Sequence, residues 1–303
     1  MFKRWLNVAG QGAGSGNSTF CCLLLCMLAC GEAGAAPFGT ITIADGKARV
    51  FRAVSVFTLA EGGVLEEGDL IELDDAALLQ VELGDGSALS FSSKARALLP
   101  MPAGAPGRLA DVLLLAGWSK LQLASAAQLP AVQTPQVRLI SQNVSYVLSV
   151  SDAGSQFFVE NGELVPAFGS PKSGQPAILK AGEFLGVKPD FSATVAPRAL
   201  PEFVKAMPRP YIDKLPVRIA RFKGRNVELK RERDVSFAEV DALFKVYPPG
   251  RKVYLAQFRP LLKDKGFLHD LEPAIRNYPE WDRIVHPEKY LPKPKVQAKA
   301  QAN

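Results

Sequence analysis

The stretch LLQVELGDGSALSF (residues 78–91) decides how the first half of the chain can fold. Apolar and polar residues alternate on both sides of a Gly-Asp-Gly, which is the pattern of two strands joined by a tight turn. A two-residue loop would mix apolar with polar positions across the pair. A three-residue loop places the apolar residues opposite one another, in the pairs Leu79–Phe91 and Val81–Leu89. We therefore predict the three-residue loop if the stretch forms a local hairpin; in a solenoid its strands would pair with other coils.

Asp85 lies at the tip of this turn and has two interpretations, a ligand or catalytic carboxylate and a turn residue. Further acids occur in LEEGD (residues 65–69) and ELDD (residues 72–75). A glycosidase needs two carboxylates across a sugar cleft, and calcium needs several oxygen ligands. No EF-hand or nonapeptide repeat is present, and Asp and Gly are favoured in turns for backbone reasons. Turn chemistry is the favoured interpretation, and we predict no catalytic residue, no metal site and no cofactor.

Short strands bounded by turn signals extend on both sides of this stretch. FGTITIADGKARVFRAV (residues 38–54) predicts a hairpin in which an Asp-Gly loop pairs Ile43 with Ala48. Further turn signals occur at residues 161–162 and 181–183. Strands at this spacing indicate an all-β sandwich, barrel or solenoid.

The N-terminus has the features of an export signal. Lys3 and Arg4 precede the apolar run FCCLLLCMLAC (residues 20–30), and small residues follow it. We predict a signal peptide over residues 1–35 and a periplasmic or secreted mature protein, with a lipoprotein anchored at Cys30 as the alternative. Because all 4 cysteines lie in the apolar run, the mature chain is expected to have no disulfide, thiolate metal site or cysteine nucleophile.

Charge divides the mature chain. Residues 37–200 contain 12 Lys/Arg and 16 Asp/Glu, whereas residues 201–303 contain 22 and 13. An asymmetry of this size favours two modules with different surfaces. The predicted organisation is an all-β domain, a basic and mostly helical module and a disordered basic tail, at residues 37–195, 196–290 and 291–303.

Helical signals dominate the basic module. Ser236 and Glu239 have the spacing of a capping box, and apolar residues follow at helical intervals. Prolines at 260, 273 and 279 predict short helices that end or begin there. The residues around Lys223-Gly224 are compatible with one short strand pair. We expect the aromatic residues near the end, Tyr278, Trp281 and Tyr290, to pack in a core rather than to line a groove.

The β-rich part resembles the FecR domain of bacterial envelope proteins. The resemblance is carried by GTITIADGKARVFR, LEEGDLIELDDAALLQVELGDGSALSF, GELVPAF and AILKAGEFLGV, in that order, over residues 39–188. It implies an all-β, solenoid-like or sandwich-like module without catalytic residues that relays signals or binds envelope partners. Some members are transmembrane anti-sigma regulators. The expected export signal and the lack of a spanning helix in the sequence favour the exported, stand-alone branch. The usual Gly-Thr before the second strand set is missing, and the basic module resembles no family that we recognise.

Two groups of residues are singled out by these patterns. The family-motif turn residues, with a structural role, are Gly39, Gly68, Asp69, Asp85, Gly86, Ser87 and Gly182. The candidate contacts to an anionic partner are Arg218, Arg221, Lys223, Arg225, Lys230, Arg231 and Arg233. An uncommitted, solvated basic face is the alternative for the second group. His269 and His286 lack the spacing of a metal or triad motif and are interpreted as surface or packing residues.

The sequence therefore predicts a non-enzymatic exported envelope protein that acts in binding, scaffolding or signal relay. The expected partner is an envelope protein or an anionic envelope polymer, because export makes nucleic acid an implausible one. A peptidoglycan- or polysaccharide-binding protein is the first alternative. A hydrolase of an envelope polymer is the second, and it lacks a visible pair of acids.

Overall fold

A sheet of 15 strands dominates the computed structural model, which describes residues 35–101, 110–124, 131–168, 178–225, 227–246 and 251–291. The predicted signal peptide with Cys30 lies outside these residues, except for its last residue, as does nearly all of the predicted tail. The strands are β1 (Pro37–Asp45), β2 (Ala48–Arg52), β3 (Ser55–Thr58), β4 (Val64–Glu66), β5 (Leu70–Leu73), β6 (Leu78–Glu82), β7 (Ala88–Leu98), β8 (Val112–Gln122), β9 (Val132–Gln133), β10 (Val137–Ser151), β11 (Gly154–Phe168), β12 (Leu179–Lys180), β13 (Phe184–Val187), β14 (Ala193–Ala196) and β15 (Lys230–Asp234).

Hydrogen bonds link these strands in the order β14-β13-β11-β10-β9-β8-β7-β5-β2-β3-β15, and β1, β4, β6 and β12 join from the side. Within the described part, the named strand pairs are antiparallel apart from β8 with β9. Antiparallel pairing of this kind is the arrangement of a folded, sandwich-like sheet rather than of stacked parallel coils. The predicted mainly β N-terminal part, followed by a small and mostly helical part, is confirmed.

The apolar core lies between the inward faces of the strands, and several strands are buried on both faces. In β8, Val112 and Leu114 face the main core, whereas Leu113 and Leu115 face a second core made with the C-terminal helices. Successive side chains of a strand point to opposite faces, so a strand covered on both sides needs an uninterrupted apolar run. This explains the run VLLL.

The hairpin of β6 and β7 has the predicted register. Leu79 lies opposite Phe91 and Val81 opposite Leu89. The amide of Leu83 donates to the carbonyl of Ser87 at 2.9 Å, and Gly86 adopts φ of 87°. Because L-residues rarely adopt this left-handed conformation, glycine is favoured at that position. The three-residue loop is confirmed.

The predicted hairpin at Asp45-Gly46 and the predicted turn at Asn161-Gly162 are wrong. β1 does not pair with β2: it pairs with β4 and β6, whereas β2 pairs with β3 and β5. The Asp45-Gly46 turn is present, but each strand pairs with partners further along the chain. Asn161-Gly162 does not end a strand either. It forms an irregularity within β11, where Gly162 takes φ of 81°, since a bulge can use the same conformation as a turn.

Short helices follow the sheet. They are α1 (Pro201–Ala206), α2 (Phe237–Val246), α3 (Arg251–Gln257), α4 (Lys265–Leu271) and α5 (Pro279–Val285), with 3₁₀ turns at Arg209–Tyr211, Ile219–Phe222, Arg259–Lys263, Glu272–Asn277 and Pro287–Tyr290. The predicted prolines stand in the first turn of their helices. The capping box is formed, because the amide of Ser236 donates to Glu239 at 2.9 Å.

The C-terminal helices pack on the outer side of the sheet. Their second core joins Phe244, Tyr278 and Trp281 with Phe51 of β2 and Leu98 of β7. Tyr278 and Trp281 are buried, as predicted, whereas Tyr290 is 46% exposed and contacts the guanidinium of Arg283 instead. The β-rich and helical segments belong to one compact unit, and the boundary between residues 195 and 196 stays a prediction.

The predicted strand pair around Lys223-Gly224 is wrong. Residues 219–222 form a 3₁₀ turn, and the following strand, β15, pairs with β3. β15 therefore pairs with the edge strand β3 of the sheet rather than with a neighbouring segment in a local hairpin. In the part of the chain that the structure describes, no helix has the length and hydropathy needed to cross a bilayer.

Candidate functional site

A proline-containing segment, residues 208–225, crosses the outward face of β6, β7 and β8; we call it the strap. Its side-chain anchors are Tyr211 and Leu215, which are 0% and 5% exposed and pack in a small cluster with Ala88, Val147 and Phe203. Burial raises the pKa of the Tyr211 phenol far above its ordinary value. The strap is thus held to the sheet as part of the folded core.

Two rows of polar side chains lie beneath the strap. The pairing of β6, β7 and β8 aligns Gln80 with Ser90 and Lys120 in one row, and Glu82 with Ala88 and Gln122 in the next. Gln80, Glu82 and Lys120 are each 1% exposed. Buried polar and charged groups are tolerated when hydrogen bonds replace their contacts with water.

Lys120 supplies those bonds at one end of the strap. Its ammonium donates to the carbonyls of Tyr211 and Asp213, each at 2.8 Å, and to the carboxylate of Glu160 at 2.7 Å. Glu160 also accepts a bond from the Ser145 hydroxyl. All three protons of the ammonium therefore have acceptors. Because two of these acceptors belong to the strap, the cost of removing the charge from water is offset only while the strap is in place.

At the other end of the strap, Glu82 accepts hydrogen bonds from main-chain amides, whereas Lys120 donates to main-chain carbonyls. Its carboxylate accepts the amide of Arg218 at 2.8 and 3.0 Å and the amide of Ile219 at 2.9 Å, at the start of the 3₁₀ turn. Between the two ends, Gln80 donates to the carbonyl of Pro216 and Gln122 accepts the amide of Leu215. The sheet therefore recognises the main chain of the strap, in register, through four side chains.

The predicted basic residues divide into two kinds. Three have carboxylate partners: Arg218 with Glu61, Arg231 with Asp234 and Arg233 with Glu239, at 3.3, 2.6 and 2.6 Å. Four have no ion pair within the described residues, namely Arg221, Lys223, Arg225 and Lys230. An ion pair neutralises much of the field that would attract an anion, so the second kind carries the exposed positive charge.

Three of these unpaired cations share one short segment, RFKGR (residues 221–225), which we call the basic turn. The amide of Arg225 donates to the carbonyl of Phe222 at 2.9 Å, and Gly224 adopts φ of 74°. The ring of Phe222 lies against Gly62 and fixes the turn to the sheet. A groove of about 550 Å³ runs beside it, lined by Phe222, Lys223 and Arg225 together with Thr40 and Ile219. The groove is open rather than enclosed, unlike the cavities that bury most of a small-molecule ligand.

The family-motif residues lie mainly in turns. Asp85 accepts the amide of Ser87 at 2.8 Å, Gly68 and Gly182 adopt φ of 83° and 89°, and the Asp69 carboxylate accepts the amide of Glu66. Gly39 is the exception, because it lies within β1. A Cβ there would come within 2.7 Å of Val81, so its role is the close approach of β1 to β6.

Most of the other acids that the sequence raised as alternatives form ion pairs with neighbouring cations. Glu72 lies between Arg49 and Arg96, at 3.3 and 2.9 Å, and Asp75 pairs with Lys94. Within the residues that the structure describes, no group of three or more His, Cys, Asp or Glu could hold a metal ion.

The two histidines lie apart from these acids. His269 is exposed on α4, and His286 contacts Glu272 at 2.9 Å.

Comparisons with known proteins give limited information. No family model and no curated protein matches the chain. Two crystal structures from Parabacteroides distasonis, each described as a candidate anti-sigma factor, are similar to it at 15% and 13% identity, with TM-scores of 0.35 and 0.37. The first similarity covers 43% of this chain and 59% of the other; the second covers 59% and 92%. At these TM-scores, neither similarity supports a functional argument.

The four side chains that hold the strap were not among the predicted site residues. Alternating polar residues in a strand predict a solvent-facing side, and Gln80, Glu82, Lys120 and Gln122 fit that pattern. No local sequence signal separates them from solvent-facing residues, because only the return of the strap across β6, β7 and β8 buries them.

Proposed function

We propose that the chain is a non-enzymatic, exported envelope protein with a FecR-like β module, and that its basic turn binds an anionic envelope polymer. One observation carries this proposal: Arg221, Lys223 and Arg225 have no ion pair in the described part of the chain, yet their segment is clamped to the sheet through Glu82. Cations held on a rigid support bind a polyanion at a smaller entropic cost than mobile ones.

The placement of the acids supports a binding role rather than hydrolysis. The carboxylates of Asp69, Asp85 and Glu183 each accept bonds from their own turn, from Glu66, Ser87 and Lys180 respectively. A hydrolase would need acids facing a shared cleft. Replacement of Asp85 and Glu183 by alanine, which keeps the buried Asp69–Arg52 pair intact, should therefore leave any polymer retention in place.

Signal relay is one form that this role can take. A polymer bound at the basic turn would pull on the strap, and the strap is joined to β6 by Glu82 and to β8 by Lys120. Relay would then depend on the hydrogen bonds that join the main chain of the strap to Glu82 and Lys120. Simple scaffolding would need only the positive charge of the basic turn.

The test is co-sedimentation of the full chain with purified peptidoglycan sacculi carrying their anionic polymers, in about 150 mM salt. The variant R221Q/K223Q/R225Q should lose about tenfold or more in retention, because each basic side chain near an anionic surface contributes about 1 kcal/mol. The matched control K263Q/K265Q/R276Q removes the same charge from exposed helical positions. This variant should co-sediment with the sacculi as the native chain does. Equal loss in both variants, or retention only by phosphatidylglycerol vesicles, would contradict the proposal.

A further inference from the structure

Helix α1 and the first part of the strap present apolar side chains to solvent. Their buried side chains pack in one cluster against the sheet, namely Phe203, Tyr211 and Leu215. Each of these is followed closely in sequence by an exposed apolar residue: Val204, Ile212 and Val217, which are 49%, 64% and 65% exposed. Because the buried residues share one cluster, the exposed residues lie around one part of the surface.

This exposure is unusual for the molecule. Among the large apolar side chains that the structure describes, only Leu291 is more exposed than Ile212 and Val217. Single exposed apolar residues are common on soluble proteins, whereas a group of them marks a site of interaction. The group within residues 204–217 therefore indicates a surface that a partner covers.

Positive charge is interleaved with these apolar residues. Lys205, Arg209 and Lys214 are exposed, and none of them has an ion pair within the described residues. The one acid in residues 204–217 is Asp213. The surface therefore combines apolar side chains with an excess of free cations. We call its six residues the outer patch: Val204, Lys205, Arg209, Ile212, Lys214 and Val217.

The sheet holds part of this patch in place. Lys120 donates to the carbonyls of Tyr211 and Asp213, on either side of Ile212, each at 2.8 Å. Gln122 accepts the amide of Leu215 at 3.1 Å, directly after Lys214. Side chains presented from a main chain that is already ordered bind at a smaller entropic cost than those of a mobile loop.

Charge and apolarity together select the partner. A polyanion dissolved in water would neutralise the cations and leave the apolar side chains in water. The surface of a bilayer that contains anionic lipid provides for both, because its phosphates lie at the level of the headgroups and its acyl chains begin just below them. The long stems of Lys and Arg let their charges stay among the headgroups while neighbouring apolar residues go deeper.

We propose that the outer patch docks the protein on the surface of a bilayer containing anionic lipid, with Val204, Ile212 and Val217 inserted at the boundary of headgroups and acyl chains. The contact is peripheral and involves no spanning segment. It does not rest on the proposed polymer binding, which uses the basic turn.

A polarity-sensitive fluorescent label tests the insertion. In a full-length chain whose 4 native cysteines are replaced by serine, the label is attached at I212C or V217C and, as the matched control, at I284C, which is exposed on α5. With vesicles of equal parts phosphatidylglycerol and phosphatidylcholine, emission should shift to shorter wavelength at the first two positions and stay unchanged at the third. Phosphatidylcholine alone should give little shift.

The label reports only its own surroundings, so contact of the vesicles with the apolar run at residues 20–30 does not produce this signal. Equal shifts at all three positions, or no shift at Ile212 and Val217, would overturn the proposal. The second result is the one expected if a protein covers the patch instead.

The role of charge is tested in the chain labelled at I212C. K205Q/R209Q/K214Q should raise the lipid concentration at half-maximal shift about tenfold or more, because three cations no longer face the anionic surface. K263Q/K265Q/R276Q, which removes the same charge from exposed helical positions, should leave it unchanged. Equal effects would show that net charge, rather than the outer patch, attracts the chain. Unchanged thermal unfolding shows that each variant folds.

Sacculi separate this proposal from polymer binding, because they contain no bilayer. I212S/V217S should weaken the binding of the chain to the anionic vesicles and leave its retention by sacculi as it is in the native chain. A missing vesicle response with normal retention by sacculi defeats membrane docking alone. A normal vesicle response without retention by sacculi defeats polymer binding alone.

Discussion

The guanidinium of Arg52 grips both carboxylate oxygens of Asp69, with Nε to Oδ1 at 2.8 Å and Nη2 to Oδ2 at 2.6 Å. Asp69 is 1% exposed, and Arg52 also reaches Glu66 at 2.6 Å. Burial raises the pKa of the Asp69 carboxyl, and the bonds from Arg52 oppose that shift. The turn before β5 is therefore held by an ion pair whose carboxylate is removed from water.

Loss of Arg52 should be severe. R52M leaves the Asp69 carboxylate buried without its cation, and we expect the free energy of unfolding to fall by about 3–5 kcal/mol. K94A removes an exposed pair with Asp75, whose partners are 72% and 73% exposed, and should change stability by about 0.5 kcal/mol or less. Urea unfolding at neutral pH measures both. Similar losses would mean that the buried pair has no special weight.

Two glycines with the same backbone conformation should tolerate alanine differently. Gly86 and Gly117 have φ of 87° and 84°. A Cβ on Gly86 meets only Ala124, at 3.8 Å, so G86A should cost about 1 kcal/mol of backbone strain. A Cβ on Gly117 would lie 2.4 Å from the Cα of Ala95, and G117A should cost about 3 kcal/mol or more. Thermal unfolding compares the two variants, and the reverse order would contradict the close approach at Gly117.

The strap should open when Glu82 loses its charge. E82Q replaces one carboxylate oxygen by an amide donor, which faces the donors of Arg218 and Gln80 at Oε1 or those of Arg218 and Ile219 at Oε2, and the oxygen that remains is no longer charged. Such a loss costs about 1–3 kcal/mol, so tryptic cleavage after Lys214 and Arg218 should accelerate about tenfold.

E61Q is the control for this effect, because among the described residues the side chain of Glu61 bonds to the exposed side chain of Arg218 and not to the main chain of the strap. Cleavage of the E61Q strap should match that of the native chain. Equal acceleration in E61Q would show that the side-chain contact, rather than the main-chain bonds, holds the strap.

The capping box of α2 should make stability depend on acid. Burial pushes the pKa of Glu239 upward, but bonds from Arg233 and Ser236 outweigh it and bring this pKa to about 2. Since the unfolded value is about 4.3, the carboxylate stabilises the fold above that pH. The stabilisation is lost as the pH falls toward 2.

Accordingly, E239Q should be less stable than the native chain by about 1–2 kcal/mol at pH 7, and the gap should narrow as the pH falls from about 4.3 toward about 2. E228Q, at an exposed position, should follow the native curve throughout. Denaturant unfolding at several pH values checks this. A gap for E239Q that persists unchanged at low pH would argue against a depressed pKa.

Local structure could be predicted where a turn sets its own register. The loop at Gly84–Gly86 determines the pairing of Val81 with Leu89, and the alternation around it is consistent with one buried face. The same reasoning failed at Asp45-Gly46, since the flanking strands pair with strands from elsewhere in the chain. A turn signal reports the conformation of the turn and says nothing about which strand lies beside it.

The strap was beyond prediction for a related reason. Lys120 and Glu82 belong to strands whose polar face the sequence assigns to solvent, and only the return of residues 208–225 across that face buries them. No sequence feature within β6 or β8 predicts that the strap lies over this face. The basic residues were recognisable as a group, but their separation into paired and unpaired cations depends on Glu61, Asp234 and Glu239.

The pairing of β15 with β3 affects the order in which the sheet forms during folding. Ser55 and Asp234 are hydrogen-bonded across 179 residues of sequence, so during synthesis from the N-terminus β3 lacks its partner on this edge until most of the chain has been made. Long-range strand pairing is slow because the intervening loop must first be closed. We therefore expect the pairing of β15 with β3 to be among the last steps of folding. The charged side chains of β15 then discourage other chains from adding a strand to that edge.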